Sequence, residues 1–355
     1  MKKLWYYVLD FQCLKEETPI LVFFLTSTDQ KQETVVFSDR YGSDHMNQTP
    51  YRSPLIVTAG STYLDIDAYA CAVALAELLR LKGENAVAYS RATVNYSVTP
   101  SLTKEEGIHR ALPPDFRESD ASYIIVDVSD PDYIKDCVPL DRVAAVYDHH
   151  AGFEDFWRGR IGENVHIEFI GAAATLILRE WKNCGLLDRM SPATARLLVA
   201  AILDNTLNLT SSNTTDEDKA AFAALCGQGQ IDPDWRAMYF TEVQEEVERD
   251  LKNALMGDLK TMKDTSVLPP RIAQLCVWDT HRILERLPEI RTWFAGGEGW
   301  LMNIIGLREN RSCFVCGDPY YQRQLERVFG VRFEGDTALT AAPYLRKQII
   351  KKAYF

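Results

Sequence analysis

Asp148, His149 and His150 stand in a row at the end of an apolar run, Val143-Ala144-Ala145-Val146-Tyr147. A buried strand that delivers one carboxylate and two imidazoles to its carboxyl end puts them where α/β sheets build metal and phosphate sites. Three further acidic clusters follow apolar segments. Leu55–Thr58 runs into a small-residue turn and then Asp65 and Asp67, two carboxylates with one residue between them. The Ala- and Leu-rich stretch from Ala68 reads as a helix that starts just after them. Asp67 could serve simply as that helix's N-cap, but capping does not require Asp65 as well. Ala121–Val126 is a β-branched run ending in Asp127, which an ordinary strand-end turn would also explain. Leu197–Leu203 is apolar all round, hence buried, and ends in Asp204-Asn205-Thr206. Four buried segments that all end in Asp or His point to hard cations, which take oxygen donors with an occasional imidazole. Two such cations close together clamp an in-line phosphoryl displacement and activate the attacking water.

The order Asp-x-Asp, strand-Asp, Asp-His-His, Asp-x-Thr resembles the DHH phosphoesterase superfamily. Towards the C-terminus, Gly257-Asp258-Leu259-Lys260, Arg271-Ile272-Ala273-Gln274-Leu275 and Leu345-Arg346-Lys347-Gln348-Ile349 look like the second domain of family II inorganic pyrophosphatases. That domain is shared with the exopolyphosphatase and prune branch. The resemblance covers residues 54 to 355. It implies that Asp65, Asp67, Asp127, His149 and Asp204 are metal ligands, with Asp127 bridging two cations, Mg2+ or Mn2+. It implies that Asp148 orients the metal-bound His149 from behind. His150 would contact phosphate, and Asp148 and His150 together form the catalytic pair. Lys260, Arg346 and Lys347 would hold terminal phosphates from across a cleft, Arg with a planar fork and Lys as a point charge. A surface basic turn is the plain alternative for Arg346 and Lys347.

One position departs from the pyrophosphatase pattern. Those enzymes carry a His four residues before the first Asp of the first motif, and here that residue is Ser61. The loss of an imidazole suits Mg2+ better than a softer metal. It tilts the resemblance towards the exopolyphosphatase branch, as does Asn208.

The elements that must position these residues alternate from Leu55 to about Tyr239. Leu55–Thr58, Ala86–Tyr89, Tyr123–Val126 and Ala144–Tyr147 read as strands, and Ala68–Leu81, Ala172–Asn183 and Ala193–Ala201 as helices. Alternation of this kind gives a parallel sheet with helices on both faces. The expected fold is therefore α/β: a parallel-sheet domain at 54–240, an acidic, solvated linker helix at 241–250, and a smaller α/β domain at 251–355. The active site would lie in the cleft between the two domains. Residues 1–53 read as a β-rich extension. The run Gly171-Ala172-Ala173-Ala174-Thr175 reads as close helix packing, and Cys313-Phe314-Val315-Cys316 as a pleated strand with no second pair to make a zinc site.

The bulk numbers agree with this. A chain of 355 residues with 46% hydrophobic content holds two full cores. A formal net charge of −11 argues against a nucleic-acid coat or a membrane-surface protein. A small basic cluster of Arg346, Lys347, Lys351 and Lys352 could set a local field against the global one. Eight scattered cysteines and the lack of a leader or a membrane-length apolar run point to the cytoplasm. The expected activity is removal of terminal phosphate from inorganic polyphosphate, with inorganic pyrophosphatase as the alternative. A phosphodiesterase on short oligonucleotides or cyclic nucleotides should carry a different second domain, with a glycine-rich motif and a His. A non-catalytic polyphosphate- or nucleotide-binding protein is favoured only by Ser61. The partners expected are polyphosphate or pyrophosphate, with no nucleic acid and no membrane; a homodimer is allowed.

Overall fold

The computed structural model describes residues 53–354 except 61–62, 105–106, 115, 230 and 295–298. The N-terminal extension up to residue 52, and Ser61, therefore lie outside the described residues.

The N-terminal lobe runs β1 (Leu55–Thr58), β2 (Tyr63–Leu64), α1 (Ile66–Leu81), β3 (Ala86–Ala88), β4 (Thr93–Val94) and β5 (Ser122–Val126). It continues with α2 (Pro131–Ile134), β6 (Val143–Asp148), α3 (Glu154–Ile161), β7 (Val165–Ile167), α4 (Ala173–Asn183), α5 (Pro192–Asn205) and α6 (Asp216–Gln228). Five strands form one sheet in the order β3-β1-β5-β6-β7, and every neighbouring pair is parallel. The β-branched and alanine-rich strands are buried on both faces, as a fully covered parallel sheet requires. Helices α1, α4 and α5 cover one face in a single large core, and the other is filled by Ile134, Trp157 and Ile167. Alanines along α1 and α5 let the two helices approach closely under that core. Trp181 of α4 is fully buried and donates its indole N–H to the Ala74 carbonyl at 3.1 Å. Truncating it to Ala would cost on the order of 3–5 kcal/mol.

The C-terminal lobe follows α7 (Trp235–Arg249) and α8 (Leu251–Asp258). Its elements are β8 (Lys260–Thr261), β9 (Arg271–Val277), α9 (Thr280–Leu284), α10 (Leu287–Phe294), β10 (Trp300–Gly306), β11 (Arg311–Val315), α11 (Pro319–Phe329), β12 (Thr337–Leu339) and α12 (Arg346–Tyr354). The strand order is β12-β11-β10-β9-β8, with β9 and β10 parallel and the other pairs antiparallel. Cys313 lies on β11, and it and Cys316 are buried; no disulfide forms among the described cysteines.

The acidic segment 241–250 is not a solvated linker. It is the second half of α7, whose Tyr239, Phe240, Val243 and Val247 form a buried face. Phe240 stacks on Trp278 with ring centroids 5.7 Å apart. Gln244 accepts from the Asp279 N–H at 2.8 Å and donates to its carbonyl at 3.0 Å. The glutamates sit on the remaining face, and the apolar spacing beneath them decides the packing. Ile305 and Leu307 of the second lobe belong to the same buried cluster as α1 and α5. No described helix is long and apolar enough to cross a membrane.

Candidate metal centre

The site gathers at the carboxyl ends of β5 and β6, the start of α1 and the end of α5. Asp65 is the N-cap of α1: its Oδ1 accepts from the Ala68 N–H at 3.0 Å. The sequence suggested Asp67 for that duty. Asp67 instead lies one residue inside the helix, fully buried, with its carboxylate turned to α4. It accepts from the Ala173 and Ala174 N–H groups, both at 2.8 Å, and from Asn205 Nδ2 at 2.5 Å. The amides at the start of α4 are aimed at this carboxylate, as a helix N-terminus favours. Cys71 Sγ lies 3.5 Å from its Oδ1.

Asp127 follows β5 in the left-handed region, at φ 56, uncommon for a residue other than glycine. Its N–H is held by the Tyr147 carbonyl at 2.8 Å. The turn buries its carboxylate and leaves Oδ1 with no hydrogen bond, although His149 Nε2 lies 3.3 Å away. His149 Nε2 is also 3.9 Å from Asp67 Oδ2. Asp204 ends a helix rather than a strand; it lies in the last turn of α5, where Tyr239 Oη approaches its Oδ1 at 3.4 Å.

The Asp-His-His row departs in one respect from its expected wiring. The His149 ring is held through Nδ1 by the Ile170 carbonyl, at 3.1 Å, and not by Asp148. Asp148, fully buried, accepts at Oδ1 from the His149 N–H at 2.7 Å and the His150 N–H at 3.1 Å. The same oxygen meets His150 Nδ1 at 2.9 Å. Asp148 thus fixes the backbone of the row and the ring of His150, whose side chain is exposed.

Electrostatically the cluster is under tension. Burial, then the charges of Asp67 and Asp65, push the Asp127 carboxyl well above the usual range. Burial raises Asp67 too, against the opposing pull of His149 and the α4 amides. Asp204 is raised to about 7 by burial and by Asp65. His149 moves the other way: burial disfavours its charge, but Asp127 and Asp67 outweigh that and hold the imidazolium up to about 10. His150 is raised as well, by its hydrogen bond to the Asp148 carboxylate and by the charge of Asp127. Water cannot relieve these charges, and a divalent cation can. The buried Asp127 carboxylate, the nearby carboxylates of Asp65, Asp67 and Asp204 and the His149 imidazole are donor types that Mg2+ or Mn2+ takes. Asp127, His149 and His150 each offer an atom within 4.8 Å of the others'.

In the second lobe, Lys260 opens β8, half-buried, while Arg346 and Lys347 open α12. Lys347 is exposed. Arg346 is neither a surface turn nor an open fork. Its Nη1 and Nη2 grip the Asp258 carboxylate, with Nη2 3.1 Å from Oδ1, and Nη1 also donates to the Asp258 carbonyl at 2.8 Å. Gln348 Nε2 reaches Ser212 Oγ at 2.8 Å, so the start of α12 abuts the loop that follows Asp204.

Known proteins bear on this geometry as follows. No family model matches the chain. A Staphylococcus carnosus protein named as a probable manganese-dependent inorganic pyrophosphatase is 26% identical over 315 residues, 82% of this chain and 96% of its own length. One from Bacillus licheniformis with the same name is 26% identical over 302 residues, 81% and 93%. Over most of its length the chain is thus similar to proteins named as manganese-dependent inorganic pyrophosphatases. A Methanococcus jannaschii protein assigned to family II of the inorganic pyrophosphatases shares the fold, with a TM-score of 0.55, 19% identity, and 84% of this chain and 98% of that one covered.

What sequence reasoning missed in this site is the support. Ile170, Ala173 and Ala174 act through backbone atoms, which carry no side-chain signal. The small-residue run at Gly171–Thr175 was the visible trace of them, and close packing was only half of its meaning.

Proposed function

We propose that the chain is a hydrolase of inorganic phosphoanhydrides, working with two divalent cations, Mg2+ or Mn2+, and releasing terminal phosphate from inorganic polyphosphate. One observation carries the reading: the buried Asp127 carboxylate, held by a left-handed turn with His149 Nε2 3.3 Å from its Oδ1 and 3.9 Å from Asp67 Oδ2. Buried carboxyls that raise one another beside an imidazole are a donor set that a divalent cation would neutralise. The relatives' names support the reaction class and the use of manganese. They also favour pyrophosphate as the second reading of the substrate.

Asp65, Asp67, Asp127, His149 and Asp204 would hold the cations. Bound there, the cations supply Lewis acidity and a water of lowered pKa. Asp148 accepts a hydrogen bond from His150 Nδ1 and favours the imidazolium, in which Nε2–H would donate to a phosphate oxygen. Lys260 and Lys347 would add positive charge for the leaving phosphate. Arg346 would join them by its side edge, Nε and Nη2, because Asp258 occupies the end of its fork. The lobes would be domains of residues 54–240 and 251–355. The scattered cysteines, without a disulfide among the described residues, support a reducing compartment, and we place the protein in the cytoplasm.

Phosphate release from long polyphosphate, pyrophosphate and a dinucleotide, assayed side by side with Mg2+ and with Mn2+, tests the reading. Faster release from polyphosphate is expected, with no release in a chelator. Release from pyrophosphate alone would move the substrate to the second reading. Cleavage of the dinucleotide alone would overturn the reaction class.

A further inference from the structure

Five hydrogen-bonding positions alternate along one short segment. The Ile170 carbonyl meets His149 Nδ1 at 3.1 Å, and the Ala173 and Ala174 N–H groups donate to Asp67. Between and beyond them, the Gly171 N–H donates to Asp218 Oδ2 at 3.0 Å and Thr175 Oγ1 donates to Asp218 Oδ1 at 2.6 Å. The segment thus faces the metal centre with one set of groups and Asp218 with the other.

Asp218 lies on α6, fully buried. Part of its work is ordinary: with Thr215 it forms the capping box of α6, accepting from the Thr215 N–H and Oγ1, both at 2.7 Å. A capping box needs nothing from Gly171 or Thr175. The packing is also closed around this contact. A Cβ on Gly171 would fall 2.5 Å from Asp218 Oδ2 and 2.7 Å from Thr206 Cγ2, so only glycine lets the segment seat. Asn213 Nδ2 approaches the Gly171 carbonyl at 3.4 Å from the same side.

We propose that Asp218 is a positioning residue for the metal centre: through Ile170–Thr175 it fixes the His149 ring and the Asp67 carboxylate in ligating orientation. The inference rests on the functional reading above. Outer groups that orient ligands typically change metal affinity or activity by about 10- to 100-fold when removed.

The test uses the full chain, with Mn2+ as probe, and three variants. Asp218→Asn removes one acceptor, Thr175→Val removes a donor without touching the α6 cap, and Thr215→Ala removes cap and little else. Calorimetry should show Mn2+ binding weakened about tenfold or more in Asp218→Asn, less in Thr175→Val. Thr215→Ala should melt earlier with Mn2+ affinity unchanged. In the metal-free protein, the Ala173 and Ala174 amides should exchange with solvent about tenfold faster in Asp218→Asn, while Leu178, deeper in α4, stays protected. Wild-type affinity and wild-type exchange in both Asp218→Asn and Thr175→Val would overturn the proposal. A wild-type chain that binds no Mn2+ would sink the functional reading instead, and the exchange measurement would still decide the coupling.

Discussion

At Asp127 the chain accepts a backbone that side chains rarely adopt, and buries a carboxylate oxygen without a hydrogen bond. Asn tolerates the left-handed region about as well as Asp and carries no charge to desolvate. Asp127→Asn should therefore abolish phosphate release while the metal-free protein melts at the wild-type temperature or above it. Normal turnover in that variant would end the two-cation reading. The residue types of the candidate site were legible because a cation would need carboxylates and imidazole, which the sequence sets at the ends of apolar segments; that Asp65 would cap α1 and Asp204 would lie in the last turn of α5 was not. Nor were the partners of the site residues. That Asp67 would be gripped by amides of α4, or that Ile170 and not Asp148 would hold the His149 ring, depends on contacts between segments far apart in sequence.

At the scale of elements, β-branched and alanine-rich runs announced β1, β5, β6, α1 and α5, since most of each is buried. Short or polar elements did not announce themselves. β7 has three residues, and α3 is charged around a single buried Trp157. α6 could have been found from its Thr215-x-x-Asp218 cap. In α7 the glutamates hid an apolar face with helical spacing. The Arg346–Asp258 pair belongs to this scale, because it ties the first residue of α12 to the last of α8. Arg346→Ala should lower kcat/KM by about 10- to 100-fold, the effect of losing a charge-assisted contact of about 1.5–3 kcal/mol, with Mn2+ affinity unchanged. Arg346→Lys should recover little, because an ammonium cannot hold Asp258 and a phosphate in one plane. Steady-state kinetics beside calorimetry separates these outcomes, and an alanine variant near wild type would remove Arg346 from substrate binding.

The whole molecule carries a formal charge of −11, and its substrate would be an anion. The basic cluster expected to offset this is smaller than its sequence implies. Arg346 gives the end of its fork to Asp258, and Lys352, exposed like Lys347 and Lys351, donates to Tyr344 Oη at 3.1 Å and sits over the Phe329 ring. The cations must then supply most of the local field. They should also stabilise the fold, since they would meet the buried carboxyls of Asp67, Asp127 and Asp204. At free Mn2+ one hundred times its Kd, the gain is about 2.7 kcal/mol, enough to raise the thermal midpoint by several degrees. Calorimetric scans with and without Mn2+ measure this, and an unchanged midpoint would contradict it.

The grip on Asp67 joins it to amides 106 and 107 residues further along the chain, and to Asn205, 138 residues on. Closing loops of that length comes late in folding, after local contacts have formed. On the proposed ligand set, a growing polypeptide would have no finished site until residue 205 has left the ribosome and the sheet has closed. Premature capture of a cation by a half-made chain would be disfavoured, and uptake of the ion would mark the end of the folding of this lobe.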